Sequence, residues 1–199
     1  MAAGLTLASA SPRRLELLTT AGLKPDTVEP TNIDESEIDG ELPGPLALRL
    51  ACEKAAACKS GGNYILAADT VVGVGRRILP KTETEEEARR CLDLMSGRSH
   101  RVFTGIAARS PDGLYASKLV ETRVKFKRLT PAEIESYIAC GEWRGKAGGY
   151  GIQGRAACFI VNLIGSYTGV VGLPLYETVN LLTGLGYRAN DPHMSGASK

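Results

Sequence analysis

Leu66-Ala67-Ala68-Asp69-Thr70-Val71-Val72-Gly73-Val74-Gly75-Arg76-Arg77-Ile78-Leu79-Pro80-Lys81 is the stretch on which the reading of this chain turns. The apolar run from Ile65 to Ala68, resumed at Val71 and Val72, has the β-branched and aliphatic composition of a strand covered on both faces. Asp69 is set into that run. An ionised carboxylate in an apolar strand is costly unless a cation or hydrogen-bond donors meet it. One reading is an aspartate at a strand end bonded to nearby backbone amides, since buried polar groups are normally satisfied. The other is a group held rigidly to bind a metal or accept a proton. What the rest of the chain brings to Asp69 decides between them.

On the downstream side, Val74 to Ile78 reads as a hairpin turn into a short strand that ends at Lys81. Thr84 with Glu87 forms a capping box, and Ala88, Cys91, Leu92 and Met95 follow at helical spacing before Gly97. Two strands come next, Val102 to Ala108 and Lys118 to Arg128. The second alternates Val120, Thr122, Val124 and Phe126 with charged residues, so one face is wet. Thr130 with Glu133 caps a further helix, buried through Ile134, Tyr137 and Ile138 and ending at Gly141. Five glycines in ten residues make 145 to 154 an irregular loop. A strand over 157 to 164, a turn-rich return over 165 to 172 and a last helix over 173 to 185 complete the pattern.

Upstream, Gly4 to Ala8 reads as a strand, and the helix after it has Ser11 as N-cap, Pro12 in its first turn and Gly22 at its end. Arg13 and Arg14 lie in that first turn, where cations oppose the helix dipole and free amides attract anions. A phosphate between them makes better sense of the pair than a merely solvated basic turn. A second strand near Thr27 to Glu29 leads to an acidic loop, 32 to 40. Such loops are usually solvated, and the sequence does not say which carboxylate, if any, turns inward. Pro43, Gly44 and Pro45 open a helix buried through Leu46, Leu50, Ala51 and Ala55 and closing at Gly61-Gly62. On it a lone Lys54 reads as a snorkelling surface residue rather than a ligand. The order β-α, β-α, β-β-α, β-β-α, β-α describes a mixed-sheet α/β protein with helices on its faces, one domain over 1–187. Residues 188–199 lack apolar content and read as a disordered tail.

The totals narrow the function classes. At 199 residues with 43% hydrophobic and 23% charged residues, the chain can bury a substantial core and reads as soluble. A net charge of +2 gives no overall field for nucleic acid or an anionic membrane, so neither is expected as a partner. Five scattered cysteines without a C-x-x-C pair suit reduced thiols, and two histidines not spaced with a cysteine make a zinc site a poor expectation. Arginines follow the small N-terminal residues instead of preceding them, which is not a secretory signal. No apolar run approaches the ~20 residues that span a bilayer, so a cytoplasmic protein is expected. The oligomeric state stays open, a homodimer included.

No Ser-His-Asp set, Walker loop or dinucleotide fingerprint is present: Gly73-x-Gly75 is too short and no helix follows it. What remains is a set of separated charges, namely Arg13 and Arg14, the carboxylates Glu35 and Asp69, and the lysines Lys54 and Lys81. Carboxylates with cations near strand ends suit phosphate chemistry with a divalent metal.

Together the motifs resemble the Maf family of nucleoside triphosphate pyrophosphatases. The resemblance covers about residues 5 to 186 and rests on ordered blocks. These are Leu7-Ala8-Ser9-Ala10-Ser11-Pro12-Arg13-Arg14-Leu15-Glu16-Leu17-Leu18, Leu50-Ala51-Cys52-Glu53-Lys54-Ala55, Ala67-Ala68-Asp69-Thr70-Val71-Val72, Lys146-Ala147-Gly148-Gly149-Tyr150-Gly151-Ile152-Gln153-Gly154, and the closing Gly165-Ser166-Tyr167 and Val171-Gly172-Leu173-Pro174-Leu175. It implies an elongated α/β fold, like that of inosine triphosphatases, with a long twisted mixed sheet and a cleft between two lobes. It also implies hydrolysis of a nucleoside triphosphate to the monophosphate and pyrophosphate with Mg²⁺, or with Mn²⁺ or Co²⁺ in its place. Asp69 matches the family's proton acceptor and Glu35 its second acidic position, both candidate metal ligands; Lys54 and Lys81 match its phosphate-binding lysines. Ser9, Ser11, Arg13 and Arg14 are expected on the triphosphate. Arg13, Thr70 and Gln153 look like the dTTP/UTP-specific branch, with CTP and modified pyrimidine nucleotides as further candidates. A purine triphosphate pyrophosphatase and a non-catalytic nucleotide-binding regulator of cell division are the competing readings. The chain departs from the family at Leu79-Pro80-Lys81-Thr82, where Leu-Gly-Lys-Pro is common, and this puts the loop around Lys81 in question.

Overall fold

The computed structural model describes residues 3–189, so most of the expected tail lies outside the described residues. Seven strands form one mixed sheet: β1 (Leu5–Leu7), β2 (Thr27–Val28), β3 (Tyr64–Val74), β4 (Arg77–Leu79), β5 (Ser99–Arg109), β6 (Tyr115–Phe126) and β7 (Ile160–Ile164). Their order is β2-β1-β3-β5-β6-β7, with β4 folded back on the far half of β3. β1 runs parallel to β2 and β3, and the remaining pairings are antiparallel. The expected α/β class and mixed sheet are therefore observed.

Among the described residues six α-helices flank it: α1 (Pro12–Thr20), α2 (Pro43–Ala57), α3 (Glu85–Met95), α4 (Pro131–Cys140), α5 (Tyr167–Val171) and α6 (Leu175–Gly184). Both capping boxes form as the sequence predicts, Thr84 with Glu87 and Thr130 with Glu133. Four expectations are corrected. Ser11 occupies the N-cap of α1, but its hydroxyl caps nothing; its own N–H donates to Ser9 Oγ at 3.2 Å. Residues Arg155–Phe159 form a 3-10 turn, so β7 begins only at Ile160. The return over 165 to 172 contains α5, and the last helix starts at Leu175 because Pro174 takes its N-cap. The Arg155–Phe159 turn and α5 are each too short to carry a periodicity that separates strand, turn and helix.

Two-residue alternation along β3 sorts the sheet's faces. Leu66, Ala68 and Val72 join the large core, with Leu18 of α1, Leu92 and Met95 of α3, Tyr137 of α4 and Leu182 of α6. Ile65, Ala67 and Val71 point the other way, onto Ala47, Leu50, Ala51 and Ala55 of α2. Asp69 shares this second parity and so faces α2. Directly across the ladder from it is Gly105, and α2 passes so close that a Cβ on Gly105 would lie 2.3 Å from the Ala47 carbonyl oxygen. Helix and carboxylate are thereby brought to contact distance.

Candidate active site

Lys54 occupies the buried stripe of α2, one position past Leu50 and Ala51 in the i, i+3, i+4 pattern. The surface position that its helix alone suggested is overturned, since only 7% of it is exposed; the resemblance sets it apart as a phosphate-binding lysine. Its ammonium reaches the cleft and lies 2.5 Å from Asp69 Oδ1, itself buried, and 2.6 Å from Glu35 Oε1. Glu35 is the member of the acidic loop that turns inward, and its second oxygen meets Lys81. Four charged residues from four segments (the acidic loop, α2, β3 and the link after β4) thus make one chain, Asp69–Lys54–Glu35–Lys81. Burial by itself would raise the Glu35 carboxyl, but hydrogen bonds from Lys54 and Lys81 and their charges outweigh it and hold it at about 2.

The departure at Pro80 and Thr82 is accommodated by backbone pairing. Lys81 bridges antiparallel to Ala147, Gly148 N–H donates to Pro80 O at 2.9 Å, and Thr82 N–H donates to Lys146 O at 3.2 Å. A proline at position 82 could not make that last bond. Thr82 is buried and its hydroxyl donates to Trp143 O at 2.8 Å, which ties the Lys81 segment to the glycine-rich loop.

On the opposite face of β3, Thr70 meets the β1–α1 turn and Gly172 through the side chain of Arg14. The Arg14 guanidinium donates to Gly172 O (2.8 Å), Ser9 Oγ (3.0 Å) and Thr70 Oγ1 (3.4 Å), using three of its five N–H groups. Burial lowers its pKa and the Asp69 charge works against that, but a guanidinium stays charged throughout. Thr104 spends its single proton on Gly169 O at 2.8 Å, so in the 3.1 Å contact between the two threonines Thr70 is the donor. Thr70 therefore presents only acceptor capacity to the cleft. Arg14 is largely committed to the scaffold, whereas Arg13 lines the open space.

That space is a cleft of about 770 Å³. Its walls bring together every candidate named from the sequence: Ser9, Ser11, Arg13 and Arg14 from the β1–α1 turn, Glu35, Lys54, Asp69 and Thr70, Lys81, and Gln153 from the glycine-rich loop. The cleft also holds Glu142, Lys146 and Tyr150, which sequence reasoning did not single out as site residues. Lys146 had a visible signal, a lone cation among glycines; Glu142 had none. Burial, followed by the charge of Arg13, pushes Lys146 below its ordinary pKa, and both cations line the cleft. Crowded cations opposite a helix start describe a seat for a polyanion.

Glu35 and Asp69 form an all-oxygen donor pair, the chemistry Mg²⁺ prefers alongside water and substrate phosphates. Because both carboxylates contact the same Lys54 nitrogen, at 2.6 and 2.5 Å, the two bonded oxygens lie within roughly 5 Å of each other. That is compatible with a shared cation, and the residues fit the metal. Among the described residues there is no group of three or more His, Cys, Asp or Glu placed to hold a metal by themselves.

The family model described as "Maf-like protein" matches residues 4–185. A dTTP/UTP pyrophosphatase of Maricaulis maris is 77% identical over 184 residues, 92% of this chain and 88% of that protein. One of Caulobacter vibrioides is 62% identical over 94% of this chain and all of its own length, and one of Rhizobium meliloti is 57% identical over 96% and 97%.

Proposed function

The chain belongs to the Maf family, and from that premise we propose that it is a nucleoside triphosphate pyrophosphatase that converts dTTP and UTP to the monophosphate and pyrophosphate. The observation that carries the reading is the meeting of Glu35, Lys54, Asp69 and Lys81 in one ion cluster inside a 770 Å³ cleft. The names of the three relatives support the substrates.

In this mechanism the triphosphate lies over the start of α1, where the first-turn amides have no intrahelical acceptor and Arg13 adds a full charge. Ser9 and Ser11 border the same turn, and Arg14 fixes its shape while keeping two donors to spare. Asp69 receives a proton from water as that water's oxygen bonds to the α-phosphorus. The bond from the α-phosphorus to the α–β bridging oxygen breaks, and pyrophosphate leaves with the bond's electron pair. Lys54 and Lys81 neutralise charge that builds on the transferring and departing phosphates. Glu35 and Asp69 would hold a divalent cation, Mg²⁺ or in its place Mn²⁺ or Co²⁺, which when bound neutralises phosphate charge. Gln153 offers one donor and one acceptor to the carbonyl and N–H edge shared by uracil and thymine. A pocket built on such bonds rejects bases that leave its groups unpaired.

No described helix is long and apolar enough to cross a membrane. We read the enzyme as cytoplasmic, acting on the free nucleotide pool and without nucleic acid as a partner. The test is a panel of nucleoside triphosphates with Mg²⁺, reading monophosphate, pyrophosphate and inorganic phosphate separately. Pyrophosphate from dTTP and UTP ahead of the purine nucleotides is expected. Inorganic phosphate as the product, or purines turned over best, refutes the reading.

A further inference from the structure

We propose that Glu142 is a positioning residue for base selection, clamping the backbone beside Gln153 so that the glutamine amide has one direction in which to point. The proposal rests on the reading of Gln153 as the base-recognising residue. Gln153 is itself exposed and belongs to a loop with five glycines in ten residues, a composition that does not hold a side chain in place. Something else must do so.

Two anchors flank it at equal spacing. On the C-terminal side, Glu142 Oε2 accepts from the backbone N–H of Arg155 at 2.7 Å. This amide opens the Arg155–Phe159 turn, whose N-cap, Gly154, has no side chain with which to cap it, so the carboxylate of Glu142 acts as a cap supplied from elsewhere. It lies directly on the backbone there, since a Cβ on Gly154 would sit 2.0 Å from Oε2. On the N-terminal side, the N–H of Gly151 donates to Tyr137 Oη at 3.2 Å, and a Cβ on Gly151 would meet the Lys146 stem at 2.8 Å.

Both anchors issue from one rigid source, α4 and the turn that follows it. Tyr137 is on the buried face of α4, and Gly141 turns the chain in the left-handed conformation (φ 72°) so that Glu142 points back to the loop. Lys146 Nζ donates to the Glu142 carbonyl and closes the turn on itself. Further back, Tyr150 Oη pairs with His100 Nε2 at 2.8 Å in the core. Gln153 is therefore the free crest of a loop fixed at 150, 151 and 155. By contrast, Asp69 and Lys54 stand on β3 and α2, which this clamp does not touch. A displacement near 1 Å of a recognition group can cost about a hundredfold, so releasing the clamp should strike discrimination before it strikes the chemical step.

The experiment measures kcat and KM for dTTP, UTP, CTP and one purine triphosphate with wild type, E142A, E142Q, Q153A and the E142A/Q153A double variant, each verified as folded. We expect E142A to lower the dTTP-to-CTP ratio of kcat/KM by roughly ten- to a hundredfold, mostly through KM. E142Q keeps most of the ratio, because an amide oxygen still accepts from Arg155 N–H, and E142A adds little in the Q153A background. If E142A lowers kcat/KM for all four substrates by one common factor, or E142A and Q153A act additively, the proposal is overturned. Wild-type ratios in Q153A alone would instead sink the role of Gln153 itself, a failure visible without any Glu142 variant. Should E142A not fold, Tyr137→Phe removes only the hydroxyl of the other anchor; a shift of the ratio in the same direction supports the clamp and an unchanged ratio overturns it.

Discussion

Lys54→Met replaces an ammonium with an apolar group of similar length and asks what that charge does for the fold. The Lys54–Asp69 pair is short, at 2.5 Å, with side-chain exposures of 8% and 4%, so neither charge is screened as surface pairs are. Removing one member of a buried pair leaves the other uncompensated, at a cost of about 3–5 kcal/mol. Glu35 adds little to this figure because it is more exposed and keeps Lys81. For a domain of this size each kcal/mol moves Tm by roughly 2–4 °C, so a fall of about 6–20 °C is expected. The assay is thermal and denaturant unfolding in EDTA, repeated with Mg²⁺. The double variant Lys54→Met/Asp69→Asn should recover most of the loss, since no buried charge then stands alone. Added Mg²⁺ should stabilise Lys54→Met more than wild type, because the two carboxylates can take a cation where the ammonium was. A loss below about 1 kcal/mol in EDTA, the size of an exposed pair, would refute the reasoning.

Two further outcomes follow from the core. His100 is buried against Phe126 and Tyr150, and burial pushes its pKa from 6.5 down to about 4. The unfolded chain takes up a proton as pH falls through 6.5 while the native state waits until about 4. His100's share of stability is thus intact above pH 6.5 and is lost as pH falls from 6.5 to 4, by up to about 3 kcal/mol; denaturant melts at pH 7.5 and 4.5 should show this loss shrinking in His100→Phe. Gly105→Ala places a Cβ where the Ala47 carbonyl stands, which should cost about 1–3 kcal/mol or more. The same shift lifts α2 and its Lys54 from Asp69, so calorimetry and kcat/KM should fall together.

The fold was legible in the sequence where a local rule had no competitor. Both capping boxes are self-contained four-residue signals, and the alternation of Val120, Thr122, Val124 and Phe126 with charged residues admits one face to the core. The Arg155–Phe159 turn and α5 were not legible, because five residues are too few to carry a period that separates strand, turn and helix. For the site, Asp69 drew notice as a charge in an apolar run. Its partner could have been found by the same logic: positions 46, 47, 50, 51, 54 and 55 form one helical stripe, and Lys54 lies in it. The general rule that lone lysines snorkel hid what the spacing said, and Lys54 was named as a site residue through the family resemblance alone. Glu35 was named through the family resemblance alone; spacing could not pick it from the acidic loop, because its partners Lys54 and Lys81 are brought to it only by the folding of α2 and β4. Glu142 was invisible for a similar reason, as its acceptor role depends on the backbone of Arg155, thirteen residues on.

The central claim is that Asp69 takes the proton in a hydrolysis that splits the α–β bond. The most direct measurement is the rate of pyrophosphate release from dTTP with Mg²⁺ by Asp69→Asn, a nearly isosteric change, with folding confirmed by circular dichroism. A general base is worth roughly a hundred- to ten-thousandfold, and a loss of that size in kcat is predicted. Turnover within a few-fold of wild type would contradict the account.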